Sequence, residues 1–441
     1  MSRLEPTNEA SAMQKEISAI AEQAGGTTKV EQLMQQYCPD GVEYKSFFEV
    51  CDFIRGITYN KQQEARTKVD AHKVLRANNI TLSLNTLNFD DVKFVVNDVK
   101  VKPSQMLYRG DILMCAGSGS KEHIGKVAYI NEDMDYTFGG FMSVVRCKDV
   151  LLPRFMFHIL TGSLFTQHLE REIKSSTINN INNQVMQSLS IPVPPLPVQE
   201  EIVRILDTLT ELQAELQAEL QKRLQQYNYY RDNLLSFEGR TDVEWKKLGD
   251  VVSISRGASP RPIQNYLTNE EDGIPWIKIG DVSTNSKYIT STAERITREG
   301  ASKSRFLNKG TFILSNSMSF GRPYILGIDG CIHDGWISIC DFEASLNSDF
   351  LYYLLRSSDV QGYWISKANS GGAVANLNSD IVRSTPIPVP PLAEQQRIVD
   401  ILDRFSTLTT DITAGLPAEI EARRKQYEYY REQLLTFKQK A

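Results

Sequence analysis

The stretch IPVPPLPVQEEIVRILD occupies residues 191–207, and a second version, IPVPPLAEQQRIVDILD, occupies residues 387–403. A related tail follows each copy, QQYNYYRDNLLSF ending at Phe237 and KQYEYYREQLLTF ending at Phe437. The copies lie about 200 residues apart, far beyond the roughly 20 to 50 residues of a solenoid repeat. The chain is therefore predicted to contain two whole domains, each followed by its own long helix.

Weaker similarity extends through both halves. VEYKSFFEVCDFIRG (residues 42–56) aligns with VEWKKLGDVVSISRG (residues 243–257), which places Arg55 beside Arg256. RGDILMCAGS aligns with KGTFILSNSM, and SSTINNINNQ (residues 175–184) aligns with GGAVANLNSD (residues 371–380). Between these anchors the halves diverge, as expected for one scaffold that carries two different binding faces. A duplication kept only for stability would leave that divergence without a use.

Composition sets the class of protein. The chain has 441 residues, 41% of them hydrophobic, and a formal net charge of −5. It contains no run of about 18 apolar residues and no segment of signal-peptide type near its first residue. The six cysteines form no CxxC pair, and the five histidines lie far from them in sequence. We therefore expect a soluble cytoplasmic protein with reduced thiols and without a metal site.

The pattern predicts an α+β protein in five parts. Short β-prone runs such as VKFVVNDVKV and DILMCA indicate mixed domains, and the prolines at 192, 194, 195 and 197 predict a stiff connector before the long helix. The predicted parts are an N-terminal helical segment (1–40), a first mixed domain (41–190), a first spacer helix (191–238), a second mixed domain (239–386) and a second spacer helix (387–441).

The long helices carry a narrow apolar seam. In the first helix it runs through Ile202, Ile205, Leu209, Leu212, Leu216, Leu220, Leu224, Tyr227 and Leu234, and in the second through Ile398, Ile401, Leu402, Phe405, Leu408 and Ile412. Such spacing is typical of a coiled coil, so the helices are predicted to pack antiparallel and to hold the domains apart. About 40 residues make a rod of roughly 60 Å. Gly415 and Pro417 predict a break or kink in the second helix.

The first helix contains a tandem repeat of LQAE within ELQAELQAEL (residues 211–220). Four residues lengthen a helix by about 6 Å and overshoot one turn by about 40°. The tandem is thus interpreted either as a ruler or simply as a good helix former, and the residues alone leave both interpretations open.

The N-terminus carries a third, partial copy of the helix tail. EQLMQQYCPDGVEYK aligns with DNLLSFEGRTDVEWK, which sets Leu33 and Met34 beside Leu234 and Leu235. The same helix tail closes the chain at its C-terminus, so the last segment resembles the segment that opens the first domain. A nearly circular, pseudo-twofold arrangement with neighbouring termini is therefore predicted.

No catalytic motif stands out. GSGSKEHIGKV (residues 117–127) has the wrong glycine spacing for a phosphate-binding loop, and Val127 replaces the hydroxyl that binds magnesium. The chain has no GxGxxG, HExxH or GxSxG, and His123 and His333 have no nearby partner at ligand spacing. The loops combine Arg and Lys with Asn, Gln, Ser and Gly, which suit phosphates and base edges. Since positive and negative charges nearly balance in each domain, loop composition alone favours ordinary solvated loops.

The arrangement as a whole resembles the DNA-specificity subunit of Type I restriction–modification enzymes. The resemblance rests on the VE-aromatic-K openings, the IPVPPLxxQxxI closings and GIPWIKIGDV (residues 273–282), which looks like that family's characteristic segment. KVLRANNI (residues 73–80) is a looser counterpart, with Asn79 at the place of Asp281 and Val74 at that of Trp276. The tandem is most similar to the branch in which a repeated tetrapeptide sets the gap between half-sites.

The resemblance implies a non-catalytic subunit with two target-recognition domains, each reading one half of a split DNA target. It further implies two modification subunits, which bring S-adenosylmethionine and flip out an adenine, together with restriction (motor and nuclease) subunits. No cofactor is expected in the chain itself.

Two sets of site residues follow from this interpretation. DNA contacts are predicted for Arg55, Lys61, Lys121, Lys126 and Asn180 in the first domain and for Arg256, Arg261, Lys278, Lys303, Arg305 and Arg322 in the second. Docking of the modification subunits is predicted for about half of six tyrosines, the rest packing between the helices: Tyr227, Tyr229, Tyr230, Tyr427, Tyr429 and Tyr430. A self-sufficient methyltransferase–endonuclease and a protein-binding scaffold are the alternatives.

Overall fold

The computed structural model describes residues 29–65, 69–81, 85–118, 123–173, 180–282, 286–316, 320–368, 376–410 and 415–440. The chain divides into two compact units, which comprise residues 1–214 with 422–441 and residues 215–421. Two long helices contribute residues to both units, and the boundary after Ala214 falls inside the LQAE tandem. Each unit is described by itself below.

The first unit is a mixed α/β domain. Its helices are α1 (Lys29–Tyr37), α2 (Phe47–Val50), α3 (Pro153–Leu160), α4 (Ser163–Ile173) and α5 (Asn183–Gln187), followed by the first part of α6 (Leu196–Ser236). Its strands are β1 (Glu43–Ser46), β2 (Cys51–Arg55), β3 (Ala71–Leu75), β4 (Lys93–Val96), β5 (Met106–Leu107), β6 (Ile112–Cys115), β7 (Val127–Tyr129), β8 (Met134–Phe138), β9 (Met142–Cys147) and β10 (Ser190–Val193).

The second unit repeats this plan. Its strands are β11 (Glu244–Lys247), β12 (Ser253–Arg256), β13 (Leu267–Thr268), β14 (Ile274–Ile277), β15 (Tyr288–Ile289), β16 (Glu294–Ile296), β17 (Arg305–Leu307), β18 (Phe312–Ser315), β19 (Pro323–Leu326), β20 (Gly330–Ile332), β21 (Trp336–Cys340) and β22 (Pro386–Val389). Its helices are α7 (Arg298–Ser302), α8 (Ser348–Leu355), α9 (Ser358–Ala368), α10 (Ser379–Arg383) and α11 (Leu392–Thr410), and the last helix of the chain is α12 (Gly415–Leu435).

Strand order confirms that the two domains share one scaffold. The sheet β2-β9-β6-β7 of the first unit corresponds to β12-β21-β18-β19 of the second, which gains β15 at one edge. The sheet β4-β3-β8-β5 corresponds to β16-β14-β20-β17, which gains β13. The parallel pairs β3 with β8 and β14 with β20 occupy matching places. The predicted α+β class is thus confirmed.

The repeated opening and closing motifs pair with each other in both units. In the first, β1 runs antiparallel to β10, with Tyr44 opposite Pro192. In the second, β11 runs antiparallel to β22, with Trp245 opposite Pro388. The prediction of a stiff proline connector was therefore wrong in part: Pro192 lies in a strand that has a single partner, where a missing amide hydrogen is tolerated, and Pro197 lies in the first turn of α6.

The glutamine of each IPVPPLxxQ motif is fully buried and explains why the motif recurs. The Gln199 side chain accepts from the Leu152 amide (2.8 Å) and donates to the carbonyl oxygens of Val150 (3.0 Å) and Pro194 (2.7 Å). Gln395 accepts from the Asn347 amide (2.7 Å) and donates to Ser345 (2.9 Å) and Pro390 (2.8 Å). Each side chain satisfies three backbone groups that burial would otherwise leave unpaired.

The spacer helices pair antiparallel, as predicted. In the second unit the Tyr230 ring stacks on Phe405 at 5.5 Å, and Arg240, just beyond the end of α6, bonds Glu394 in the first turn of α11 at 3.3 Å. Moving from Tyr230 to Arg240 along the first chain segment corresponds to moving back from Phe405 to Glu394 along α11, so α6 and α11 run antiparallel. Tyr227 and Leu402 lie in the same hydrophobic core.

In the first unit the end of α12 packs against the beginning of α6. Ile202, Leu206 and Leu435 share one core, against which Leu33 and Met34 also pack. The amide of Val42 donates to Lys438, and Lys440 donates back to Val42. The end of the chain therefore lies beside the start of the first domain, in agreement with the predicted circular plan.

The second spacer is divided into α11 and α12, and residues 411–414 between them lie outside the described part of the chain. Gly415 has φ of +74°, outside the right-handed helical region, where a break or kink is predicted. No helix in the described ranges is long and apolar enough to cross a membrane.

Candidate nucleic-acid interface

The first candidate site lies where β2 ends. The Arg55 guanidinium donates to Asn180 Oδ1 (2.9 Å) and to the Ile181 carbonyl (3.3 Å), and the backbone of Asn180 pairs with Gly117. Partial burial lowers the pKa of Arg55 from its ordinary value. The structure thus brings together two predicted contacts, Arg55 and Asn180.

An exposed phenylalanine stands next to this pair. Phe141 is 75% exposed, and its carbonyl accepts from the amides of Ala116 and Gly117. Sequence reasoning missed Phe141, because nothing in GGFMSVV distinguishes an exposed aromatic residue from the buried strand residues that follow.

The second candidate site lies at the matching place, where β12 ends. Arg256 lines a pocket of about 550 Å³, and its Nε donates to the Asp334 carbonyl at 3.0 Å. Other lining residues of this Arg256 pocket are Lys278, Asn316, His333, Asp334 and Asn376.

Asn376 occupies the place of Asn180. The residue after it, Leu377, donates to the Asn316 carbonyl (2.9 Å), just as Ile181 donates to Ala116 (2.7 Å) in the first unit. The alignment of SSTINNINNQ with GGAVANLNSD already pairs the two asparagines, so the signal for Asn376 was present in the sequence.

The glycine after each arginine is required by the fold. A Cβ on Gly257 would lie 2.0 Å from the His333 carbonyl oxygen, and one on Gly56 would lie 2.3 Å from the Phe138 and Gly139 carbonyl oxygens. The backbone therefore crosses the neighbouring turn at a distance that no other residue allows.

A polar network holds the Arg256 pocket in place. Asp334 accepts from Ser259 Oγ (2.8 Å) and from Arg261 (3.1 Å), and these bonds, with Ser259 the larger cause, lower the pKa of the carboxyl. Arg305 Nε donates to the Arg256 carbonyl at 2.8 Å. The structure therefore groups Arg256, Arg261 and Arg305.

Lys278 belongs to a turn that both units share. Its amide donates to Asp281 Oδ2 (2.8 Å) and its Nζ pairs with Glu294 (2.6 Å). In the first unit the Arg76 amide donates to Asn79 Oδ1 (2.9 Å) and its guanidinium pairs with Asp91 (2.6 Å). The alignment of KVLRANNI with WIKIGDV is thereby supported by geometry, with Val74 and Trp276 both buried.

His333 shapes the floor of the same pocket. Its Nδ1 accepts from the Gly335 amide at 2.6 Å, and burial lowers the pKa of the imidazole. The ring is therefore favoured in its neutral form, in which it serves as a hydrogen-bond acceptor.

The remaining predicted contacts lie elsewhere. Lys61 is exposed, and Lys303 bonds Tyr266 (2.6 Å) and Glu299 (2.8 Å). Lys126 is only 9% exposed and donates to the Ile80 carbonyl at 3.3 Å, so it is not a surface contact. Lys121 lies in residues 119–122, which are outside the described part of the chain. Arg322 lines a different pocket, with Arg231 and Arg356.

The six tyrosines divide between packing and exposure. Tyr227 is 4% exposed, and Tyr427 bonds the buried His158 at 3.2 Å, so both belong to the interior. Tyr229 and Tyr429 are 66% and 61% exposed. Each forms an edge-on pair with the next tyrosine, Tyr230 or Tyr430, at 5.6 and 5.5 Å.

Among the described residues no group of three His, Cys, Asp or Glu side chains is placed to hold a metal ion. The polar clusters found in these ranges suit binding, because the exposed Arg55 and Arg256 lie at strand ends, each in a site that also contains an asparagine, Asn180 or Asn376.

Comparison with known proteins identifies the family. The family model described as "Type I restriction modification DNA specificity domain" matches residues 39–226 and 241–422, one match for each half. The specificity subunit of the Escherichia coli restriction enzymes EcoR124I and EcoR124II is 40% identical over 335 residues, covering 70% of this chain and 78% of that protein. A putative type I specificity subunit from Haemophilus influenzae is 35% identical over 346 residues, covering 75% and 84%.

A solved structure supports the fold independently. A chain of a type I R-M system, solved for its complex assembly and conformational transition, superposes with a TM-score of 0.59 at 17% identity, covering 90% of this chain and 97% of that chain. With both halves matched by the family model, the chain belongs to the specificity subunits of Type I restriction–modification systems, the non-catalytic components of those complexes.

Proposed function

We propose that this chain recognises a bipartite duplex DNA target, with one half-site read by each domain. The observation that carries the proposal is the pair of equivalent sites, Arg55 with Asn180 and Arg256 with Asn376, on one shared scaffold whose surrounding loops differ. Equivalent placement supplies a common way of approaching DNA, and different loops supply different sequences.

The chemistry of these groups suits the major groove. A guanidinium has five N–H donors in a planar fork and bonds guanine O6 and N7, whereas an asparagine amide bonds adenine N6 and N7. Arg256 is steadied by one bond to the Asp334 carbonyl, which leaves its terminal NH2 groups as the donors for a base. With a net charge of −5, the positive field that DNA requires is local to such sites or is supplied by partners.

The proposed partners are two modification subunits that carry S-adenosylmethionine, joined by restriction subunits, in the cytoplasm where the DNA lies. Docking is assigned to the tyrosine pairs Tyr229–Tyr230 and Tyr429–Tyr430, of which all but the half-buried Tyr430 are exposed, because exposed aromatic residues are common anchors of protein interfaces. Tyr227 and Tyr427 are left out since they pack inside the units.

The LQAE tandem is proposed to set the gap between half-sites. One added tetrapeptide lengthens α6 by about 6 Å and rotates its end by about 40°. Insertion of one LQAE unit is expected to change the methylated gap while both half-site sequences stay the same. An unchanged gap would support the simpler view of the tandem as a helix former.

Methylation mapping tests the main proposal. The chain and its modification subunits are expressed in cells, and methylated adenines are mapped for the native chain and for Arg256→Ala. The variant is expected to relax one position of one half-site, because a single base contact is lost. The matched control is Lys309→Ala, an exposed residue at the opposite end of β18 from Asn316, and it should leave the methylated sequence intact. If Arg256→Ala methylates the native sequence with native selectivity, the assignment fails.

A further inference from the structure

A second pocket of the second unit holds three arginines. It measures about 340 Å³ and is lined by Arg231, Phe320, Arg322, Pro323, Arg356 and Gln361. Arg231 comes from α6, Arg322 precedes β19, and Arg356 follows the last turn of α8. We call this the arginine pocket.

The charges of the arginine pocket are far from balanced. Arg231 pairs with Asp232 (2.8 Å) and bonds Asn228 (3.0 Å). Arg356 donates to the Tyr352 hydroxyl at 2.8 Å, and Arg322 bonds the hydroxyl of Tyr324. The partners of Arg356 and Arg322 are hydroxyl groups, so a single carboxylate stands against three guanidinium groups among these contacts.

That carboxylate is itself shared. Asp232 also accepts from the amide of Ser358 (3.1 Å) and from its hydroxyl (2.6 Å) at the start of α9. The negative charge is thus engaged in joining α6 to α9, and the pocket has an excess of positive charge that favours an anion.

The first unit does not repeat this pocket, although it repeats its frame. Arg431 takes the place of Arg231, and Glu432 joins the helix to Ser163 as Asp232 does to Ser358. Thr161, however, stands where Arg356 does, and Lys126, in the place of Arg322, donates to the Ile80 carbonyl in the interior. Since the fold forms without them, Arg322 and Arg356 are not required by the scaffold.

The arginine pocket and the Arg256 pocket both receive a residue from the same end of the β18–β19 strand pair. The chain between β18 and β19 starts at Asn316, which lines the Arg256 pocket, and returns at Arg322, which lines the arginine pocket. The two strands are still paired at this end, because the Ser315 amide donates to the Arg322 carbonyl at 3.2 Å. A duplex held over one pocket brings its sugar–phosphate backbone close to the other.

We propose that the arginine pocket binds a phosphodiester group of the DNA backbone beside the second half-site. The inference rests on the proposed function and adds to it a sequence-independent anchor formed by Arg322 and Arg356, in whose places the first domain has Lys126 and Thr161. Guanidinium groups match phosphate oxygens in geometry and charge, and phosphate contacts fix the register of a protein on DNA without reading its sequence.

The test compares Arg356→Thr with the native chain in the assembled complex with its modification subunits. Threonine is the residue that the first unit carries at this place, so the substitution suits the fold. Affinities for a target duplex and an unrelated duplex are measured by fluorescence anisotropy over a series of salt concentrations. Arg322→Lys, which keeps the positive charge, serves as the matched control.

Arg356→Thr is expected to weaken binding of both duplexes by the same factor, about ten at low salt, because one charged hydrogen bond is lost. The slope of log K against log salt should fall in magnitude by about 0.9 for one lost phosphate contact. Arg322→Lys should retain most of the affinity. A single methylphosphonate at the contacted phosphate should weaken the native complex and leave the Arg356→Thr complex unaffected.

Three results would overturn the proposal. An unchanged affinity and slope for Arg356→Thr would remove the phosphate contact. A loss confined to the target duplex would make Arg356 a base reader. Weaker assembly with the modification subunits in the absence of DNA would make the pocket a docking site for acidic protein side chains. If the native complex does not prefer its target duplex, the proposed function itself fails. The salt slopes would still show whether the arginine pocket contacts a phosphate.

Discussion

The two units build the same frame and differ in the polar groups placed within it. The same strand orders, the same paired motifs and the same buried glutamine recur in both. Where the domain meets its spacer helix, however, the first unit buries His158 against Asp207 (2.8 Å), and the second buries Tyr353 against Asp403 (2.5 Å). The buried glutamine and the aspartate recur, whereas the side chain that bonds the aspartate is a histidine in one unit and a tyrosine in the other.

Exposed residues around the two candidate sites differ between the units more than buried residues do. Arg55 and Arg256 keep their places, but Phe141 stands beside one site and Gly335 beside the other. Arg322 and Arg356 of the arginine pocket are replaced by Lys126 and Thr161 in the first unit. Solvated loops carry few packing constraints, so their residues are open to selection for what they bind.

The largest expected effect concerns the frame. Gln395→Ala leaves three buried backbone groups unpaired and should lower the free energy of unfolding of the second unit by about 3–5 kcal/mol. Urea unfolding followed by tryptophan fluorescence measures this, because all four tryptophans lie in residues 215–421. Gln199→Ala should lower the free energy of unfolding of the first unit by about the same amount. Far-UV circular dichroism measures this loss.

The neighbouring Gln396, which is exposed, provides the control, and Gln396→Ala should cost less than about 1 kcal/mol. A similar small loss for Gln395→Ala would refute the view that the motif recurs because of its buried glutamine.

Substitutions in the two candidate DNA-contact sites should affect different half-sites of the target. Arg55→Ala is expected to lose about 1–3 kcal/mol of discrimination in one half-site and Arg256→Ala in the other, since each loses a base contact. Binding of duplexes with systematic base changes measures both. Arg109→Ala and Lys309→Ala, which are aligned and exposed, serve as controls. The comparison breaks down if both variants alter the same half-site.

Loss of the exposed tyrosine in either unit should weaken binding of a modification subunit by a similar amount. Tyr229→Ala and Tyr429→Ala are each expected to weaken binding of a modification subunit by about 1–2 kcal/mol and to leave unfolding nearly unchanged, because both rings are exposed. Titration calorimetry with the purified subunits tests this. Tyr227→Ala should instead destabilise the second unit, in which its ring is buried. Two variants with native affinity would exclude these tyrosines from the interface.

The smallest effect is a pH dependence of the first unit. Burial lowers the pKa of His158, so the unfolded chain binds a proton that the folded unit does not when the pH falls below the ordinary value of 6.5. Stability present above that pH is therefore lost as the pH falls further, by at most about 1.4 kcal/mol per pH unit. His158→Tyr, which copies the second unit, should remove this loss in thermal unfolding. A loss of equal size in the variant would contradict the assignment.

Much of the frame follows from the sequence, because it depends on short-range rules. The apolar spacing predicted the helix that runs from Leu196 to Ser236, and the repeated motifs predicted the shared scaffold. The pairing of β1 with β10 was not predicted, since two short segments almost 150 residues apart carry no local sign of contact.

The site was harder to predict, because a side chain's direction depends on tertiary contacts. Arg55 and Asn180 were found by alignment and composition, and the structure joins them. Lys126 looked equally suitable, yet a glycine with φ of +77° precedes it and its side chain turns to the interior. Arg322 was assigned to the same face as Arg256, but it lines the arginine pocket.

The central claim is that each domain reads its own half of the target. It is tested most directly by replacing residues 242–386 with the second domain of the Escherichia coli relative and mapping methylated adenines in cells that also express the native modification subunits. The account predicts that one half of the methylated sequence changes to that of the relative, while the other half stays as in the native protein. A change in both halves, or in neither, from a complex that still methylates would contradict it.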